Sequence, residues 1–132
     1  MLTAELIDHC KNPRHFGRLS NPDLTARIEN RSCGDRVVID LNIDSSGTIV
    51  TASGVAVGCA LVTSSLSLFL GAVQGVSLEI VNTWSINEPE KWIGMRPGVL
   101  RINCANLPLA AVQQLRWGLT AIETTKGLKG DF

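Results

Sequence analysis

The sequence predicts an α+β fold: a small antiparallel three-stranded sheet packed on one side by helices. Three observations carry this. Residues 35–44 alternate apolar and polar side chains, a Ser-Ser-Gly turn at 45–47 sends the chain back as a second strand-like run, and residues 62–73 carry an apolar stripe at helical period. At 132 residues the chain fits one domain, 1–132, large enough to bury a core. Hydrophobic residues at 45% and charged residues at 18% exclude a disordered chain.

Taken in order, LTAELIDHCKN reads as a short helix with Leu2, Leu6 and Ile7 on one side and Thr3 as its cap. PRHFGRLSNPD is loop, punctuated by Pro13, Gly17 and Pro22. ARIENRS supplies an edge strand. DRVVIDLNID follows as a half-buried strand, with Val37, Ile39, Leu41 and Ile43 inward and Val38, Asp40, Asn42 and Asp44 outward. TIVTASGVAV returns as the third strand. From Ala60 the period changes: Val62, Leu66, Phe69 and Val73 form one helical stripe, while Thr63, Ser64 and Ser67 are small enough to pack closely on a sheet. Residues 77–96 read as short helices with Trp84 and Trp92 as core anchors. The last helix is expected to start near Pro108, to bury Val112, Leu115, Leu119 and Ile122, and to stop at Lys126-Gly127.

Formal net charge is zero, so bulk electrostatics give no support to nucleic-acid binding. Six of the twelve Lys/Arg, namely Lys11, Arg14, Arg18, Arg27, Arg31 and Arg36, fall in the first 36 residues, which reads first as a solvated face. GVAVGCALVTSSLSLFLGAV is long enough to cross a bilayer, and residues 45–78 carry no charge. Its Gly/Ser/Thr content, its strand-like beginning and the lack of flanking Lys or Arg argue against a span, so no membrane partner is expected.

The cysteines are Cys10, Cys33, Cys59 and Cys104. The N-terminus has no apolar secretory core, so the chain is expected in the cytoplasm, where spaced cysteines read as metal-binding or catalytic rather than as disulfides. Hairpin register brings some of them together. If 45–47 is a three-residue loop with Gly47 left-handed, Asp44 faces Thr48, and an unbroken ladder sets Cys33 opposite Cys59, with Cβ atoms about 5 Å apart. Asp35 shares the face of Cys33. A bulge would shift this register by one. Cys104, expected just before the last helix, is open to either a core or a site role. Singly, each cysteine reads as a small buried hydrophobe; converging with Asp35, they point to a metal or reactive-thiol site. His9 and His15 are expected to make capping or surface contacts, and Cys10 to be structural.

At this point the chain resembles the IscU/NifU/SufU family of iron–sulfur cluster assembly proteins, over nearly its whole length. IDHCKNPRHFG is similar to the family's N-terminal DHY-x-NPRN-x-G segment, SCGD to its first-ligand motif, GCALVTSSLSL to the segment carrying the second cysteine, and RINCANL to the third. The resemblance implies that Cys33, Asp35, Cys59 and Cys104 hold zinc in the isolated protein, or iron as a nascent [2Fe–2S] cluster in use. It implies sulfur delivered as persulfide by a pyridoxal-phosphate cysteine desulfurase, and apo iron–sulfur proteins as acceptors. The donor set agrees, since thiolates suit zinc and iron–sulfur clusters while a carboxylate is a harder, less retentive ligand. Arg101, three residues before Cys104, stands either to steady a thiolate or persulfide or as a surface charge.

Two departures divide the functional expectation. Asn103 stands where IscU-type members have histidine, as in SufU-like members, whose long insertion between the second and third cysteines is nevertheless absent. RPGVLR replaces the IscU chaperone-docking segment LPPVK, so Hsp70-type chaperone recognition is not implied. The leading expectation is a scaffold that accepts persulfide sulfur, builds the cluster and passes it on. The alternatives are a SufU-like zinc-dependent sulfurtransferase, which would make the chain an enzyme, and an interaction domain with a structural zinc.

Overall fold

The computed structural model describes residues 4–30, 34–84 and 102–115. Helix α1 (Ala4–Lys11) precedes strands β1 (Leu24–Asn30), β2 (Asp35–Ile43) and β3 (Ile49–Val57), then α2 (Ala60–Val73), the single turn α3 (Leu78–Val81) and α4 (Ile102–Gln113). The strands form one antiparallel sheet in the order β1-β2-β3. Helices α2 and α4 pack on the face that carries Val37, Ile39 and Leu41. As the period requires, Val62, Leu66, Phe69 and Val73 are all buried there, joined by Leu107, Val112 and Leu115. Trp84 packs at the margin of this core, its carbonyl held by Gln113 Nε2 at 2.8 Å. Among the described residues, no helix is long and apolar enough to cross a membrane.

The β2–β3 hairpin is the expected three-residue loop. Gly47 is left-handed at φ +89°, and the Asp44 amide bonds the Thr48 carbonyl at 3.0 Å. Asp44 Oδ1 accepts from the amides of Ser46 and Thr48, which fixes the turn. The ladder beyond it is not unbroken. Ile43 pairs with Ile49 but Asn42 pairs with Thr51, so Val50 is the extra residue of a bulge, and its side chain is 56% exposed. Every pair from there to Arg36–Val57 is displaced by one. The expected Cys33–Cys59 pairing is therefore corrected: carried onward, this register sets Asp35, not Cys33, level with the residues around Gly58.

β2 is also not half-buried. Val38 and Asp40, expected outward, are fully buried. Thr25, Asp40 and Ser53 form a cross-strand row on the face away from the helices, and this row captures the loop after α1. Ser53 Oγ donates to the carbonyls of His15 and Gly17, and Asp40 accepts from Arg18 Nε (2.6 Å), the Leu19 amide (3.0 Å) and Thr25 Oγ1 (2.7 Å). Burial alone would raise the Asp40 pKa; the hydrogen bonds and the Arg18 charge outweigh it and hold the carboxyl below its ordinary value. Residues 15–17 also run along β3, with Gly17 N and His15 O bonded to Gly54.

The α2 serines do not face the sheet as expected. Ser64 Oγ bonds the Leu6 carbonyl, Ser65 Oγ the Ala105 carbonyl, and Ser67 Oγ meets His9 Nδ1 (2.7 Å) and the Arg14 amide (2.8 Å). They tie α2 to α1, to α4 and to the N-terminal loop. The last helix starts at Ile102, six residues earlier than expected, with Pro108 in its interior. Lacking an N–H, Pro108 cannot bond the carbonyl of Cys104; the burial of Ala105, Leu107 and Leu109 offsets that loss. The helix ends at Gln113, so Leu115, expected on its buried stripe, is buried beyond the helix end instead. Thr3, Trp92, Leu119, Ile122 and the expected stop at Lys126-Gly127 lie outside the described residues.

Candidate metal centre

The candidate site lies at the end of the sheet where β2 begins and β3 ends. Cys59 is the N-cap residue of α2, with extended φ and ψ of −72° and 167° and no side-chain cap of its own. Nor does the first turn of α2 hold an acidic residue. A helix start leaves amides in need of acceptors and carries partial positive charge. Asp35 meets both needs from across the hairpin: its Oδ1 accepts the Cys59 amide at 3.1 Å. The carboxylate is buried, 1% exposed, and it is the first residue of β2. Gly58 between β3 and Cys59 has φ +151°, and the Asp35 carboxylate fills the space where a side chain at 58 would sit.

The Cys59 thiol is half-buried and in no disulfide. Its side chain packs against a small cluster of Leu6, Leu61 and Ala105, which draws together α1, α2 and the first turn of α4. Ala105 follows Cys104 directly, so the α4 backbone at the third motif cysteine comes up beside the second. Cys104 itself lies in the first turn of α4 rather than before the helix. The Cys104 side chain, Cys33 and Arg101 lie outside the described residues, and the described residues alone hold no group of three His, Cys, Asp or Glu able to bind a metal. What the described residues bring together is thus the Asp35 carboxylate, a hard donor, and the backbone of Cys59, the residue that bears a soft one.

The other candidates have different employment. His9 bonds Ser67, and burial holds its imidazole below the usual histidine range. His15, at φ +63°, bonds Gln74 Nε2 through Nδ1 at 3.1 Å. Cys10 is half-buried on α1. Asp8 pairs with Arg14, whose hydrogen bond lowers the carboxyl pKa, and accepts from Asn12 Nδ2. The DHCKNPRHFG segment thereby acts as a clasp between α1 and α2. Gly58 was not singled out by sequence reasoning, although the uncapped start of α2 was a visible signal that a capping group must come from elsewhere.

Solved structures of the same fold are found in two settings. The putative iron–sulfur cluster assembly scaffold protein for the SUF system from Fervidobacterium islandicum AW-1 superposes with a TM-score of 0.69 at 18% identity, covering 84% of this chain and 93% of that one. The N-terminal nitrogen-fixing NifU-like protein from Brucella abortus also gives 0.69 at 18%, covering 97% and 95%. By sequence, the iron–sulfur cluster assembly scaffold protein IscU of Haemophilus influenzae is 28% identical over 114 residues, 84% of this chain and 89% of that protein. IscU of Azotobacter vinelandii is 28% identical over 112 residues, 83% and 86%. The NifU-like N terminal domain profile matches residues 1–119, and the chain belongs to that family.

Proposed function

We propose that this chain is an iron–sulfur cluster assembly scaffold, which accepts sulfur as persulfide from a cysteine desulfurase, assembles a [2Fe–2S] cluster on Cys33, Asp35, Cys59 and Cys104, and passes it to apo-proteins. The observation that carries the reading is the Asp35–Cys59 contact: the carboxylate bonds the backbone amide of the second motif cysteine, 24 residues away in sequence, at the sheet end. Chain connectivity keeps the Cα of Cys33 within about 7 Å of that of Asp35. Cys104 is one residue from Ala105, which shares the cluster beneath Cys59. The scaffolds of H. influenzae and A. vinelandii support the same role.

The chemistry follows from the donors. An acceptor thiolate attacks the terminal sulfur of the desulfurase persulfide, the S–S bond breaks, and the desulfurase cysteine leaves as thiolate. The transferred sulfur stays at persulfide level until an external electron donor reduces it to sulfide. Three thiolates retain iron, while the carboxylate is the weaker fourth ligand through which the cargo leaves. Zinc would be held by the same soft-and-hard set in the isolated protein.

Asn103 favours a second reading, the zinc-dependent sulfurtransferase. Anaerobic incubation with ferrous iron, cysteine and a desulfurase separates the two. A visible-absorbing cluster that moves to an apo-protein supports the scaffold; zinc-requiring stimulation of desulfurase turnover without a cluster supports the transferase.

A further inference from the structure

The backbone at Gly58 bears directly on the Asp35 carboxylate. A Cβ at residue 58 would lie 2.0 Å from Asp35 Oδ1, 2.8 Å from its Cγ and 3.0 Å from Val62 Cγ1. The first two distances are far inside contact, so any side chain at 58 displaces the carboxylate from the Cys59 amide. The Val62 contact is tight but is made with the tip of a side chain.

We propose that Gly58 is a positioning residue of the site. Its missing side chain lets Asp35 rest on the amide of Cys59, so the carboxylate and the Cys59 thiol are placed by one backbone junction. The same contact gives the buried carboxylate a backbone partner in the metal-free protein. This rests on the proposed ligand set for its metal-binding consequence, though not for its geometry.

A double-mutant cycle tests it, using wild type, Gly58→Ala, Asp35→Ala and the double variant. Two readouts are taken: the urea midpoint of the reduced, metal-free protein, and Co(II) affinity from thiolate-to-metal absorption. At φ +151° alanine is strained in either background, so strain cancels in the cycle and the clash with the carboxylate remains. Gly58→Ala is expected to lower the midpoint when Asp35 is present and much less when it is alanine. Co(II) affinity is expected to fall about tenfold with Gly58→Ala in the wild-type background and to be unchanged by it in the Asp35→Ala background. If Gly58→Ala alone fails to fold while the double variant folds, the proposal is upheld. Equal losses in both backgrounds, or failure of both to fold, overturn it. A wild type that binds no Co(II) refutes the ligand set, a separate result, and the midpoint cycle still decides whether Gly58 acts through Asp35.

Discussion

Asp35 Oδ1 lies 3.1 Å from the amide nitrogen of Cys59, so a strand residue caps the helix that the second motif cysteine begins. One carboxylate therefore has two separable duties, holding the helix start and serving as a ligand. Asp35→Asn keeps an oxygen acceptor for the amide, while Asp35→Ala removes it. The alanine variant should lose about 1 kcal/mol of metal-free stability, the usual loss for a deleted cap, and the asparagine variant much less. Urea denaturation in chelator reads this directly.

The ligand duty gives an opposite sign on the cluster. With the weaker fourth donor gone, a [2Fe–2S] cluster reconstituted on Asp35→Ala should decay more slowly than on wild type, because the carboxylate is the ligand through which the cargo is proposed to leave. The decay of visible absorbance under anaerobic chelator challenge measures it. A shorter lifetime would mean that the carboxylate retains the cluster rather than releasing it.

The order of sulfur transfer is open to single substitutions. If transfer follows the IscU-like course, Cys104→Ser abolishes persulfide capture and Cys33→Ser retains it. If Cys33→Ser alone abolishes capture, Cys33 is the acceptor and the zinc-dependent sulfurtransferase reading describes this chain. Mass spectrometry after mixing with desulfurase and cysteine detects the added sulfur atom, and its removal by a thiol reductant distinguishes it from sulfinic oxidation, which is not reversed that way.

Asp40 contributes to the acid dependence of the fold. Its carboxyl is held below its ordinary value, so the stabilisation is present above the unfolded value near 3.9 and is lost as pH falls through the lower folded value. Asp40→Asn should lose about 2 kcal/mol at neutral pH, the scale of a hydrogen bond to a charged group, less what solvent screens at Arg18, which is 44% exposed. It should also flatten the fall in stability as pH drops below about 4, from the unfolded value toward the lower folded one. Urea midpoints against pH report both.

Ser67 holds the N-terminal clasp. Ser67→Ala leaves the Arg14 amide and His9 without that partner, at about 1 kcal/mol, and should expose the Arg14 bond to trypsin sooner than in wild type. Ser65→Ala, which releases α4 at Ala105 instead, should leave cleavage at Arg14 unchanged.

What the sequence made legible was periodic or local. The Val62–Leu66–Phe69–Val73 stripe and the Gly47 turn follow from spacing and from one left-handed glycine, and both are as expected. The bulge at Val50 left no mark, because Ile49, Val50 and Thr51 are all strand formers and an extra one does not disturb the pattern. That single residue moved the ladder and, with it, the expected Cys33–Cys59 pairing. Pro108 was misplaced because a proline reads most naturally as a first-turn residue, whereas tertiary burial of its neighbours carries α4 past it. The Asp35 cap and the burial of Asp40 are long-range contacts, invisible to any window of sequence.

Zinc K-edge absorption of the zinc-loaded protein measures the proposed donor set most directly. Three sulfurs near 2.3 Å and one oxygen near 2.0 Å are predicted, roughly the ordinary zinc–ligand lengths, with the oxygen shell altered in Asp35→Ala. A wild-type shell with two sulfurs or fewer, or one unchanged by Asp35→Ala, would contradict the gathering of Cys33, Asp35, Cys59 and Cys104 on one metal.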